Sequence, residues 1–382
     1  MISATFLVSF FFAACGQPPQ SNDVAPTAND TRPEPADTPA PTATPDVPPP
    51  RSEPLPRPPL PAGIARFEKD AITLTLSGNG QYLAGGDLAG KSLLWDLTTG
   101  QFLWGDPTPV GNRIGRVAFA ETGDIWVGGS FDEPDRPWRA WSATNLERRG
   151  EFGTPGEVAI DLALDRLGQT AVVLTSAPDG SRQVVSVWKL NAEAPHFTSP
   201  ALMSGRGTVA IAPDGLDVAA SDDRGGLVRF DLKTEGLVDR RIELVAPSSD
   251  AVAARVSRLA YLTAGDPANV GLWAAIKATI RRFPLDGADP KAHAPAVELA
   301  DATYPIRGLH RVQRQGQPQE TLVVATRPEP GGLTFWNLEG KVIGELVTDC
   351  RCETHALSFD GSMAVCGCSP AADIRYGKPT WR

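Results

Sequence analysis

One pattern returns seven times between residue 63 and the C-terminus. A short alternating strand runs into a tight glycine turn, a second strand follows, and a third ends near an aromatic residue. The turn glycines are Gly80, Gly123, Gly168, Gly215, Gly265, Gly316 and Gly361. The aromatics are Trp95, Trp141, Trp188, Phe230, Phe283, Trp336 and Tyr376. Both series advance in steps of 40 to 53 residues, and the 320 residues from 63 to 382 divide by seven into units of about 46. Such a unit carries four short strands and cannot bury its apolar face alone, so consecutive units must stack. Ile72 to Ser77, the turn Gly78-Asn79-Gly80, Tyr82 to Ala84, a loop from Gly85 to Lys91 and Leu93 to Trp95 display the unit most clearly. Glycine (37 residues) and proline (36) also argue against a mainly helical chain.

The ends of the repeat fit together on paper. Ile64-Ala65-Arg66-Phe67 is a lone strand ahead of the first unit, while the last unit stops a few residues after Tyr376 with no room for its fourth strand. A sheet edge left open invites unwanted pairing. The expectation is therefore an all-β protein of seven four-stranded units in which the N-terminal strand completes the last one.

These residues resemble the WD-repeat β-propellers across 63–382. The Trp95-Asp96 pair and the turn Ala212-Pro213-Asp214-Gly215 carry the resemblance best. No Gly-His dipeptide precedes the first strands, and most units lack an aspartate after the aromatic, so the inter-strand polar tetrad of that family does not transfer. The resemblance implies a seven-bladed disc whose loops bind other proteins.

Ahead of the repeat the chain changes character twice. Ile2 to Ala14 is almost wholly apolar, too short to span a bilayer, and ends in Phe12-Ala13-Ala14-Cys15-Gly16. This resembles a bacterial lipoprotein signal over residues 1–15, with Cys15 as the lipidated residue. Phe12 stands where leucine is usual, and no Lys or Arg precedes the apolar run, which implies a start codon slightly upstream. Several acyl chains, at about 0.8 kcal/mol per buried methylene, make such an anchor stable without a spanning helix. Gly16 in place of a retaining aspartate implies the outer membrane, on its periplasmic or its surface face. Residues 16–62 then include sixteen prolines among 47 residues, without hydrophobic periodicity; this composition predicts a disordered tether at about 3.1 Å per residue.

Four further cysteines, Cys350, Cys352, Cys366 and Cys368, flank the turn at Phe359-Asp360-Gly361. The index sums of 350 with 368 and of 352 with 366 agree, so in a hairpin these pairs lie opposite one another. Export places them where disulfides persist. The reading is two bridges, Cys350–Cys368 and Cys352–Cys366. A four-thiolate zinc site is the alternative, although Cys-x-Cys is tighter than the usual zinc-ribbon spacing.

Other chemistry is sparse. Gly85 to Ser92 matches GxxxxGK[ST], but a strand and a turn follow where phosphate binding needs a helix N-terminus. GxSxG and HExxH are absent. An enzymatic or ligand-binding propeller gathers His, acidic residues and Arg around its channel; the innermost strands here offer Arg116, Asp161, Arg258, Arg307 and His355. Asp87, Asp179, Asp222 and Asp223 fall in equivalent loops and would ring one face, or serve only as turn residues. The long loop Gly129 to Trp138 sets Phe131, Asp132, Glu133 and Trp138 at a tip, as partner anchors or folded back on the sheet. Lys and Arg (36) against Asp and Glu (45), a net charge of −9, argue against nucleic acid. The sequence thus reads as a monomeric, non-catalytic scaffold that takes a protein partner and needs no cofactor or metal; a ligand-binding or enzymatic propeller (quinoprotein-, lactonase- or glycan-binding-like) or an outer-membrane assembly factor is the alternative.

Overall fold

The computed structural model describes residues 63–66, 71–87, 92–105, 114–122, 124–130, 138–177, 179–202, 207–222, 225–232, 241–245, 256–262, 271–276, 279–283, 297–298, 306–314, 321–326, 331–369 and 373–382. The chain divides into two units, 1–57 and 58–382, and every described residue belongs to the second. The signal, Cys15 and the tether all lie outside the described residues. Among those residues there is no helix, and hence none long and apolar enough to cross a membrane.

The strands assemble into seven antiparallel sheets, taken here in chain order. Their first strands are Ala71–Leu76, Ile114–Phe119, Val158–Leu164, Val209–Ile211, Val256–Leu262, Gly308–Val312 and Arg351–Leu357. In the first five sheets the four strands follow one another in the chain. The turn glycines Gly80, Gly168, Gly215 and Gly361 all have φ between 66° and 72°, a left-handed conformation that costs glycine nothing. They carry the hairpin between first and second strands; Gly123, Gly265 and Gly316 lie outside the described residues.

The last two sheets depart from this order. The seventh has Arg351–Leu357, Ala364–Ser369 and Asp373–Gly377, and its fourth strand is Gly63–Arg66, paired antiparallel with the last of these in the register Ile64 to Arg375. The sixth has a fifth strand, Thr380–Trp381, laid against Val342–Leu346. This last strand is too short to leave a periodic signal in the sequence.

Alternation along each strand places side chains toward two different neighbours. In the first sheet Leu74 and Leu76 join a buried cluster with Ala356, Met363, Val365 and Ile374 of the seventh. Thr73 and Thr75, on the other face, accept the backbone N–H groups of Val117 (3.2 Å) and Phe119 (3.1 Å) in the second. The same division recurs throughout. Seven apolar clusters are present among the described residues, each shared by two sheets: first with second, and so on to sixth with seventh, then seventh with first.

Three expectations need correction. Gly85 to Asp87 belongs to the strand Tyr82–Asp87, not to a loop, and Ser92 opens the next strand. Trp138 is fully buried, with Val127, Phe152 and Trp188 in its cluster, because it begins a strand rather than capping a loop. The cysteine register also differs: Cys352 lies opposite Cys368 and His355 opposite Cys366, a shift produced by a bulge between Cys352 and Thr354.

Candidate functional site

The first strands of all seven sheets, or the residues immediately before them, contribute to one polar pocket of about 240 Å³. Its lining runs Thr73 and Leu74 from the first sheet, Arg116 and Val117 from the second, Asp161 and Leu162 from the third, then Thr208, Arg258 and Arg307, and finally Glu353, Thr354 and His355. The five innermost-strand residues singled out from sequence, Arg116, Asp161, Arg258, Arg307 and His355, are therefore brought together. Thr73, Thr208 and Glu353 are additions.

Asp161 organises one wall. Its carboxylate accepts from Arg116 Nε at 2.8 Å, from Thr208 Oγ1 at 2.6 Å and from the backbone N–H of Val209 at 3.0 Å. This ties the second, third and fourth sheets through one buried side chain. The lining residue His355 meets the ring of His310, from the sixth sheet, edge to face, 5.3 Å between centroids. Both Nε2 atoms converge over Gly308, where a Cβ would stand 2.3 Å from that of His310 and 2.5 Å from that of His355. A Cβ at this position would force both rings to shift. Burial, and secondarily the Arg258 charge, lowers the His310 pKa to about 4, so its ring is neutral at ordinary pH.

At the other end of the first strands the turns interlock. Asp360 donates its N–H to Gly78 O, Gln313 to Phe359 O, Thr122 to Arg166 O and Arg166 to Pro213 O. The Phe359 ring has two guanidiniums within cation–π range, Arg166 at 5.2 Å and Arg311 at 5.7 Å. Arg311 is in turn ion-paired with Glu121, 190 positions away in the chain. Sequence reading missed this cluster. Glu121, Arg166 and Phe359 each stand two residues before a turn glycine, and that shared register was the available signal.

The remaining predicted positions are described only in part. Phe131, Asp132, Glu133 and Asp223 lie outside the described residues. Asp87 ends its strand, and its side chain is not described. Asp222 is buried and accepts the N–H of Gly226 at 2.7 Å, so it does not contribute to an exposed acidic face. Asp179 is exposed, and its carboxyl is held below the usual range by Ser181.

Cys350, Cys352 and Cys366 pack into the cluster between sixth and seventh sheets. The sulfurs pair Cys350 with Cys368 (Cα–Cα 5.5 Å) and Cys352 with Cys366 (5.3 Å), both within the ordinary disulfide span. Sγ of Cys350, Cys366 and Cys368 lie within 4.8 Å of one another, the only group of three potential ligands so placed among the described residues. A larger groove of about 560 Å³ runs between the outer parts of the second and third sheets, past Glu151, Phe152, Glu157 and Trp188.

No protein-family model matches the chain, and no curated protein sequence matches it.

Proposed function

We propose that residues 63–382 form a seven-bladed β-propeller that works as a non-catalytic interaction scaffold in the bacterial cell envelope, held there by a lipid on Cys15. The count of sheet interfaces carries the propeller reading. An open row of seven sheets has six internal interfaces, whereas seven apolar clusters join these sheets, the seventh sheet packing on the first. A closed array removes exposed borders, and the Gly63–Arg66 strand then clasps the two ends.

The scaffold reading follows from what the inner residues do. Asp161 is consumed in holding three sheets, and Arg311, Glu121 and Phe359 hold the turns. These groups act on one another rather than on a substrate. The proline-rich composition of residues 16–62 supports a spacer between anchor and disc.

The test uses the full chain expressed in a Gram-negative host. Wild type is expected in the outer-membrane fraction carrying labelled fatty acid, and Cys15→Ser in neither state. Crosslinking of wild type in intact cells, followed by mass spectrometry, should return a reproducible protein partner absent from the Cys15→Ser strain. Label on the Cys15→Ser protein would defeat the anchor. Absence of any crosslinked partner in repeated wild-type preparations would defeat the scaffold.

A further inference from the structure

We propose that the pocket where the seven first strands meet binds a compact oxyanion bearing two or more negative charges. The inference rests on the pocket itself and on neither the anchor nor the protein partner.

The charge of the pocket runs against that of the molecule. The chain as a whole is at −9. Its pocket is lined by three guanidiniums, Arg116, Arg258 and Arg307, against two carboxylates, Asp161 and Glu353, an excess of one positive charge among these five side chains. Both acids already have cationic partners. Asp161 is engaged by Arg116, Thr208 and Val209, and Glu353 is 2.9 Å from Arg351, which does not line the pocket. The field of Arg258 reaches the buried His310 ring.

The three lining arginines come from three different sheets and converge on one small space. Planar guanidiniums pair with carboxylate and phosphate oxygens through paired N–H donors. The hydroxyl of Thr73 and the His355 ring add polar lining of the kind that orients such a ligand. At about 240 Å³ the pocket is below the range usual for a drug-sized ligand or cofactor. A phosphate, a small phosphate ester or a di- or tricarboxylate has the right size and charge. These share one chemistry, clustered anionic oxygens, and differ in source.

The experiment titrates the full chain in detergent with inorganic phosphate and, separately, with citrate, by calorimetry at constant ionic strength. Saturable binding of one anion per chain is expected for at least one probe. The probe that binds identifies the source. Arg258→Gln and Arg307→Gln should each weaken binding at least tenfold, whereas Arg149→Gln, on an outer strand of the second sheet, should leave it unchanged. A readout without variants uses phenylglyoxal on the wild type: saturating anion should slow modification of Arg258 and Arg307 but not of Arg149. Binding that is equal in all three variants, modification rates indifferent to anion, or no heat with either probe at 10 mM, about the weak limit of small-ion recognition, would overturn the proposal. None of these failures would touch the scaffold reading, which has its own test in cells.

Discussion

Asp217 shows how a single side chain fixes the relation of two sheets. It is buried on the second strand of the fourth sheet and accepts from Arg229 Nε at 2.8 and 2.9 Å and from the Tyr261 hydroxyl, on the fifth sheet, at 2.7 Å. Burial, together with the Asp217 charge, raises the Tyr261 pKa well above its ordinary value, so the phenol remains a donor. Removing one partner of a buried ion pair strands the other, so Asp217→Ala should cost about 3 kcal/mol or more in urea unfolding. Tyr261→Phe deletes one hydrogen bond and should cost about 1 kcal/mol. His310 supplies a pH-dependent counterpart. With a folded pKa of about 4 against 6.5 unfolded, the unfolded chain takes up a proton below pH 6.5 that the folded chain refuses. Stability is thus fully present above pH 6.5, falls between 6.5 and 4, and levels below that, by at most about 3 kcal/mol. The difference in unfolding free energy between wild type and His310→Gln, measured from pH 7 to 4, should trace that slope; a flat difference would refute it.

At the scale of elements, the last residues cover the fourth strand of the sixth sheet, Val342–Leu346. Trp381 donates Nε1–H to Gly361 O at 2.9 Å, packs its ring 5.3 Å from Phe335 and lies 5.1 Å beneath the Arg314 guanidinium. Trp381→Ala should therefore lose about 2 kcal/mol and expose the Gly344 and Glu345 backbone, seen as lower midpoint and faster amide exchange there. Such a strap of two residues leaves no periodic trace, which is why the sequence did not announce it. Features repeated by identity were legible: the turn glycines and the buried aromatics Trp95, Trp141, Trp188, Phe230, Phe283 and Trp336. The lone N-terminal strand was legible too, since an unpaired strand and an incomplete unit demand each other. Features repeated by position alone were not. Glu121, Arg166 and Phe359 occupy one register in three turns, yet share no residue type. The bulge beside Cys352 broke the index symmetry for a similar reason, because an extra residue in one strand shifts register without changing composition. Trp138 sat at a boundary where one residue decides between loop and core.

For the whole molecule, closed and open arrangements of the same seven sheets transmit damage differently. In an open array each sheet is supported only by its chain neighbours, and loosening the seventh would reach the sixth but not the first. In a closed one the seventh supports both. Cys350→Ser/Cys368→Ser, which removes one clasp from the seventh sheet, is suited to this comparison because that bridge closes a short loop and should cost about 3 kcal/mol locally. Its neighbours on either side are joined through distinct clusters, Val312, Val323 and Phe335 on one face and Leu74, Leu76 and Trp95 on the other. Amide exchange should then quicken in Ala71–Leu76 about as much as in Gly308–Val312, while Val209–Ile211, three sheets away one way round and four the other, keeps its protection. Faster exchange in the sixth sheet with the first unchanged would mean that the seventh–first cluster carries no load, and the propeller reading would fall with it. Symmetric loosening would also explain why the strands flanking the repeat, Gly63–Arg66 and Thr380–Trp381, are spent on the seventh and sixth sheets: in a ring, the pair of sheets where the first and last units meet is where opening would start, and these strands bar it.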